Sequence, residues 1–185
     1  MPALESTMIA LGTPMPPFEV PDTRSGVAVR SRDLVGRPVL AMFICNHCPF
    51  VVHVRDQLAA LGREHASGPL AIVAISSNDP ATHPADGPDR MKAEAAAAGY
   101  AFPYCFDASQ EVARRFGAVC TPDFFLFDTG HRLAYRGRLD ESRPGNGKPV
   151  TGHDLRQAIA AVIAGRAPAG EQRPSMGCSI KWKAV

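Results

Sequence analysis

From Val39 to Cys45 the chain is apolar without a break. Such a run predicts a strand buried on both faces, as at the centre of a parallel sheet. After Cys45-Asn46-His47-Cys48-Pro49 the period changes. Val51, Val54, Leu58 and Leu61 recur at helical spacing, the stripe of an amphipathic helix that Gly62 or Gly68 would end. Leu70 to Ile75 repeats the buried-strand pattern, and a polar, proline-rich stretch from Ser76 to Pro88 follows it. An Ala-rich helix is predicted from about Asp89 to Ala98, stopped by Gly99. Tyr104 to Phe106 reads as a short strand, and Ser109 to Phe116 as a short helix with Ser109 as cap. Phe124 to Phe127, the turn DTGH and Arg132 to Tyr135 form a predicted hairpin, and Phe18–Val20 with Val27–Val29 another near the N-terminus. A Gly- and Pro-rich loop, Glu141 to Gly152, leads to a last helix over Asp154–Ala164. The stretch 165–185 shows no periodicity. Strand–helix–strand, then a hairpin and a helix, predicts an α/β fold with a central mixed β-sheet flanked by helices and an N-terminal β-hairpin.

Composition narrows the picture. At 185 residues the chain is one domain, read as 1–165 with a tail, 166–185, packing on or near it. The net charge of +2 gives no electrostatic case for nucleic acid or an anionic membrane. No apolar run approaches the ~20 residues that span a bilayer. The N-terminal segment has no basic n-region and carries Glu5 inside its apolar stretch, so it does not read as a secretory signal. The expected compartment is therefore a reducing cytoplasm. Five cysteines are too few, and odd in number, for a disulfide scaffold. In that compartment a close cysteine pair points to catalysis or metal binding.

Cys45 and Cys48 form that pair, spaced C-x-x-C at the junction of buried strand and helix. Helix N-termini carry unpaired N–H groups and about half a positive charge, which stabilise an anion. A thiol there can titrate well below its free value of about 8.5. Cys45, the more N-terminal, is expected to be the low-pKa nucleophile and Cys48 the resolving thiol. Pro49 suits a first-turn position that needs no amide hydrogen. His47, with Asn46 between the cysteines, would favour a thiolate if cationic and make the couple more oxidising by some 30–60 mV for ~1–2 pKa units. A half zinc site or an inert strand-end pair are the alternatives. No second C-x-x-C exists to complete a sequence-defined metal site.

A second element, Cys120-Thr121-Pro122, opens the Phe124 strand, and an X-Pro there invites a cis peptide. Buried strand, C-x-x-C at a helix start and Thr-Pro opening a hairpin together resemble the thioredoxin fold. The strings FICNHCPFV, AISSNDP, GYAFPY, EVARRFGAVCTPDFFLFD, YRGRLDESRPGNGKPVTG and GCSIKWK resemble, more closely, the peroxiredoxin-like redoxins related to alkyl-hydroperoxide reductase and thiol-specific antioxidant proteins. The resemblance implies that Cys45 and Cys48 are the redox pair. It also implies that Pro122 is a cis-proline facing them, and that the Thr121 backbone docks an extended substrate strand. The sequence departs from thioredoxin in having Ile44 rather than Trp before the pair, and no carboxylate on the Val39–Ile44 strand. It departs from peroxiredoxins in having Cys45 where T-x-x-C would place Thr.

Cys105 reads as core, and Cys120 as a packed small hydrophobe or a third thiol. Cys178, beside Trp182 on the aperiodic tail, is a second candidate for a third thiol that resolves a sulfenate or mixed disulfide. Strand direction puts the Ser76–Pro88 and Glu141–Gly152 loops on the rim with the cysteines, as expected substrate walls. The resulting expectation is a thiol–disulfide oxidoreductase acting on a disulfide or peroxide, reduced by an external thiol system, with no organic cofactor. A thiol peroxidase is the alternative. From another class, a Cu(I) or Zn(II) carrier would use Cys45, Cys48 and His47 or Cys178.

Overall fold

The computed structural model describes residues 3–184. The two unbroken apolar runs become β4 (Val39–Phe43) and β5 (Ala71–Ser76), every residue of both buried. They lie side by side and parallel, and β6 (Tyr104–Phe106) continues the parallel set beyond β5. On the other flank β8 (Asp123–Phe127) runs antiparallel to β4, and β9 (Leu133–Gly137) antiparallel to β8. The sheet order is β6-β5-β4-β8-β9, the mixed sheet that the pattern predicts.

Strand alternation divides the core between the two faces of this sheet. Leu40, Met42 and Ile44 pack with Val54, Leu58 and Leu61 of α1 (Pro49–His65), Met91 of α2 (Pro88–Ala98) and Ile159 of α4 (His153–Ile163). Val39, Ala41 and Phe43 face the other way, against Phe116 of α3 (Glu111–Phe116) and Phe18. The N-terminal hairpin forms from β2 (Glu19–Pro21) and β3 (Ala28–Arg30), with Val20 opposite Val29. Gly62 does not end α1. It lies inside the helix because a β-carbon there would meet the Phe102 ring at 2.7 Å, so glycine admits Phe102 to the helix face.

The tail contains a strand that its aperiodic sequence does not show. Residues 176–179 form β10, which pairs with β1 (Leu4–Glu5) on one edge and β7 (Cys120–Thr121) on the other. No periodicity signals it, because a four-residue strand held by two two-residue partners has no run of alternating positions to display. Among the described residues no helix is long and apolar enough to cross a membrane.

Candidate active site

The motif begins where β4 leaves the sheet. The Ile44 amide makes a final ladder bond to the Ile75 carbonyl at 3.0 Å, and Cys45 follows. Helix α1 starts at Pro49, with Cys48 in the N-cap position and its carbonyl accepting from the Val51 and Val52 amides at 3.0 and 2.9 Å. Pro49 thus occupies the first helical position, as expected. The sulfur at the helix N-terminus is therefore that of Cys48, one turn later than the sequence reading placed it.

Both sulfurs converge on Thr121. Cys45 Sγ lies 3.3 Å from the Thr121 hydroxyl, and Cys48 Sγ lies 3.1 Å from the Thr121 carbonyl. The Thr121–Pro122 bond is cis, as expected. A hydrogen bond with Cys48, burial and the nearby Asp86 carboxylate all raise the Cys45 thiol. Cys48 moves the other way. The hydrogen bond from Cys45 lowers it most, burial opposes, and Cys178, Thr121 and the Val51 amide lower it further. Its approach to the Thr121 carbonyl suits a protonated sulfur, whereas the donors around it suit a thiolate. The helix N-cap position of Cys48 acts in the same direction as these shifts, toward a Cys48 thiol lower than that of Cys45. The expectation of a low-pKa Cys45 is corrected accordingly: Cys45 lacks the helix terminus and faces a carboxylate.

That carboxylate comes from a place the sequence did not suggest. Asp86, on a short 3₁₀ turn (Pro84–Asp86) in the predicted rim loop, is fully buried against the motif. Its Oδ1 accepts from the Asn46 amide at 2.8 Å and the His47 amide at 3.3 Å. Its Oδ2 accepts from Asn78 Nδ2 at 2.8 Å and lies 2.5 Å from His47 Nδ1. Asn46 is fixed in turn by the Ala85 carbonyl at 2.8 Å and the Tyr104 hydroxyl at 3.0 Å. A buried acid missing from β4 is thus supplied by a loop forty residues away in sequence. Any imidazolium on His47 therefore has a carboxylate partner, which offsets the charge expected to favour a thiolate. His47 Nδ1 is 4.0 Å from Cys45 Sγ, and its ring stacks on His83 with centroids 4.8 Å apart. Cys45, His47 and Asp86 hold ligand-capable atoms within 4.8 Å of one another. At 2.5 Å, however, Nδ1 and Oδ2 have the separation of a hydrogen bond, so the present arrangement is that of a hydrogen-bonded dyad.

The Thr121 edge is already occupied. In the antiparallel pairing Cys178 of β10 stands opposite Thr121, and Ser179 opposite Cys120. Gly177 makes this approach possible, because a β-carbon on it would sit 1.9 Å from the Thr121 carbonyl oxygen. The docking role expected for the Thr121 backbone is therefore corrected: the protein's own strand fills that edge. Beneath it Cys45 is 1% exposed and Cys48 0%. Cys178 is half-buried and packs against the cluster that contains Cys45 and Cys48. Cys120 is buried, with its sulfur near the Pro122 carbonyl at 3.9 Å, and burial pushes its thiol up. Burial likewise pushes Cys105, in the core, up to about 12.

Beside the cover lies a cavity of about 450 Å³, lined among others by Phe50, Pro122, Glu141, Arg143 and Met176. The Glu141–Gly152 loop therefore supplies one wall next to the cis-proline, on the rim where it was expected. Below, Asp123 and Arg136 form a fully buried bidentate pair between β8 and β9.

A mixed sheet with a C-x-x-C at the β4–α1 junction, facing a cis-proline before β8, defines a thioredoxin-like protein. The chain belongs to the AhpC/TSA family, whose model matches residues 11–136. It is 47% identical to an uncharacterized conserved protein from Geobacillus kaustophilus, at a TM-score of 0.97, covering 100% of this chain and 98% of that one. A hypothetical protein from Sinorhizobium meliloti is also 47% identical, at a TM-score of 0.95, with 98% and 99% covered. A thiol:disulfide interchange protein of the thioredoxin family from Chlorobium tepidum shares the fold at 18% identity and a TM-score of 0.63, with 84% and 99% covered. No curated protein matches the chain.

Proposed function

We propose that the protein is a thiol–disulfide oxidoreductase that cycles Cys45 and Cys48 between dithiol and disulfide. The observation that carries this reading is the convergence of two buried sulfurs, one at a helix N-cap, on Thr121 beside the cis Pro122. A disulfide substrate is reduced to two thiols while one sulfur–sulfur bond forms between Cys45 and Cys48. The thiolate is carried by Cys48. Cys45 must give up its proton as the bond closes, and the His47–Asp86 dyad is the nearest acceptor. Two equivalents of an external thiol, in a reducing cytoplasm, then restore the dithiol.

A second reading, a thiol peroxidase, is favoured by the AhpC/TSA membership and by a thiolate on Cys48. Here the Cys48 thiolate would attack the O–O bond, and Cys45 would displace hydroxide from the sulfenate to give the same disulfide. One experiment tests both. The reduced protein is mixed with a small organic disulfide or with hydrogen peroxide, and cysteine-containing peptides are mapped by mass spectrometry. A Cys45–Cys48 link formed rapidly by the disulfide, and lost turnover in both Cys45→Ser and Cys48→Ser, is the expected result. Turnover that survives either substitution overturns the assignment of the pair, and rapid oxidation by peroxide alone selects the peroxidase.

A further inference from the structure

Cys45 and Cys48 pose a problem of access. With 1% and 0% exposure they meet no solvent, and the edge through which a substrate strand could reach them is filled by β10. A thiol exchange needs a straight approach to a sulfur, and its rate depends on which sulfur can be reached. The cover itself carries a sulfur: Cys178 lies opposite Thr121, whose carbonyl Cys48 Sγ approaches at 3.1 Å, packs against the cluster that holds Cys45 and Cys48, and is half open on its other side.

We propose that Cys178 is a relay thiol: electrons enter and leave the buried pair through a transient Cys48–Cys178 disulfide. This rests on the oxidoreductase reading above. Starting from the Cys45–Cys48 disulfide, the Cys178 thiolate attacks Cys48 Sγ. The Cys48–Cys178 bond forms, the Cys45–Cys48 bond breaks, and Cys45 leaves as a thiolate that takes up the proton Cys178 released. No net oxidation occurs. An external thiolate then attacks Cys178, freeing the Cys48 thiolate, and a second external thiol resolves the mixed disulfide. The two external thiols end as one disulfide, which balances the two electrons gained by the pair.

The strand around Cys178 is held for this purpose on both sides. Ser175 accepts from the Ser6 amide at 2.8 Å, and its own hydroxyl donates to the Pro122 carbonyl at 2.7 Å. Beyond Cys178, the Ile180 amide donates to the Val119 carbonyl at 3.0 Å and the Lys181 amide to Asn78 Oδ1 at 2.8 Å. Gly177 lets the strand lie against Thr121 at a distance no other residue permits. The electrostatics add a gate. Burial and then the hydrogen bond and charge of Cys48 hold the Cys178 thiol up at about 12. Oxidation of the pair removes the two contributions of Cys48, so Cys178 becomes easier to ionise in the state where it must attack.

The test begins with wild-type protein oxidised to the Cys45–Cys48 disulfide. Iodoacetamide is used to block Cys178, and reduction by glutathione is followed. Because exchange depends on the accessible sulfur, reduction is expected to slow by on the order of ten-fold or more. Cys178→Ser should show the same slowing, and oxidised Cys45→Ser should yield a Cys48–Cys178 peptide. Reduction at the wild-type rate in both the blocked and the substituted protein, with no such peptide, overturns the relay. If wild type itself forms no Cys45–Cys48 disulfide, it is the oxidoreductase reading that fails instead.

Discussion

Two carboxylates, Asp86 and Asp123, lie fully buried, and they are answered in opposite ways. Asp123 faces the Arg136 guanidinium, which also lies over the Phe125 ring at 3.8 Å. Its partner is a permanent cation from the adjoining strand, held in bidentate contact. Asp86 is answered by two amides, the Asn78 side chain and the His47 imidazole. Burial raises Asp123 to about 6 even against Arg136, which shows what burial alone does to a carboxyl in this interior. The difference separates a group that holds two strands together from one that can take part in proton traffic beside Cys45.

Breaking the fixed pair should have the largest effect. Arg136→Met leaves a buried carboxylate unanswered, and urea denaturation should show a loss of ~3–5 kcal/mol. A double variant, Asp123→Leu with Arg136→Met, should recover most of it. The pH dependence has a definite sign. A carboxyl raised from 3.8 to about 6 in the folded state contributes stability below pH 4 that is lost as pH rises through 6. Removing Arg136 takes away the main influence that lowers it, so the variant should be weakest at neutral pH and recover on acidification. A loss under ~1 kcal/mol, flat with pH, would mean the pair is not desolvated.

At Asp86 the expected change is in potential rather than stability. Its carboxylate disfavours negative charge on the coupled thiol pair, so Asp86→Asn should stabilise the reduced protein and make the couple more oxidising. One pKa unit corresponds to about 30 mV for two electrons. Equilibration against glutathione buffers measures it, and an unchanged or lower potential shows that Asp86 is not felt by the sulfurs. The smallest effect belongs to His47. His47→Leu leaves Asp86 without its imidazole and should make the couple slightly more reducing. On an Asp86→Asn background that shift should vanish. Additive effects in this double-mutant cycle would break the dyad into two independent groups.

Much of this arrangement is legible in the chain. The unbroken run of β4, the helical stripe of α1 and Thr121-Pro122 announce the fold and the meeting point of the pair. The Ser76–Pro88 and Glu141–Gly152 loops lie at the rim because parallel strand direction requires it. What escapes is tertiary. Asp86 sits in a polar loop whose residues look solvated, and only the folded chain brings it under Asn46 and His47. Arg136 lies one residue past the predicted Arg132–Tyr135 strand, and only the folded hairpin sets it against Asp123. The role of Cys48 escapes because a boundary shifted by one helical turn moves the N-terminal dipole from one sulfur to the other. Cys178 lies on a strand too short to show a period.

The three strands β1, β10 and β7 join residues far apart in sequence: Leu4 stands opposite Gly177, and Cys178 opposite Thr121. Pairings with so much intervening chain carry the largest loop-closure entropy and are last to be rewarded during folding. With only two residue pairs at each junction, they also form the unit with least to lose on opening. The cover should therefore assemble after the five-stranded sheet and fray before it. Native-state hydrogen exchange would then show the Ser6 and Ile180 amides, which donate to Ser175 and Val119, exchanging well ahead of those in β4 and β5. The dithiol would spend the earliest moments after chain collapse uncovered, reacting with any oxidant before its strand arrives.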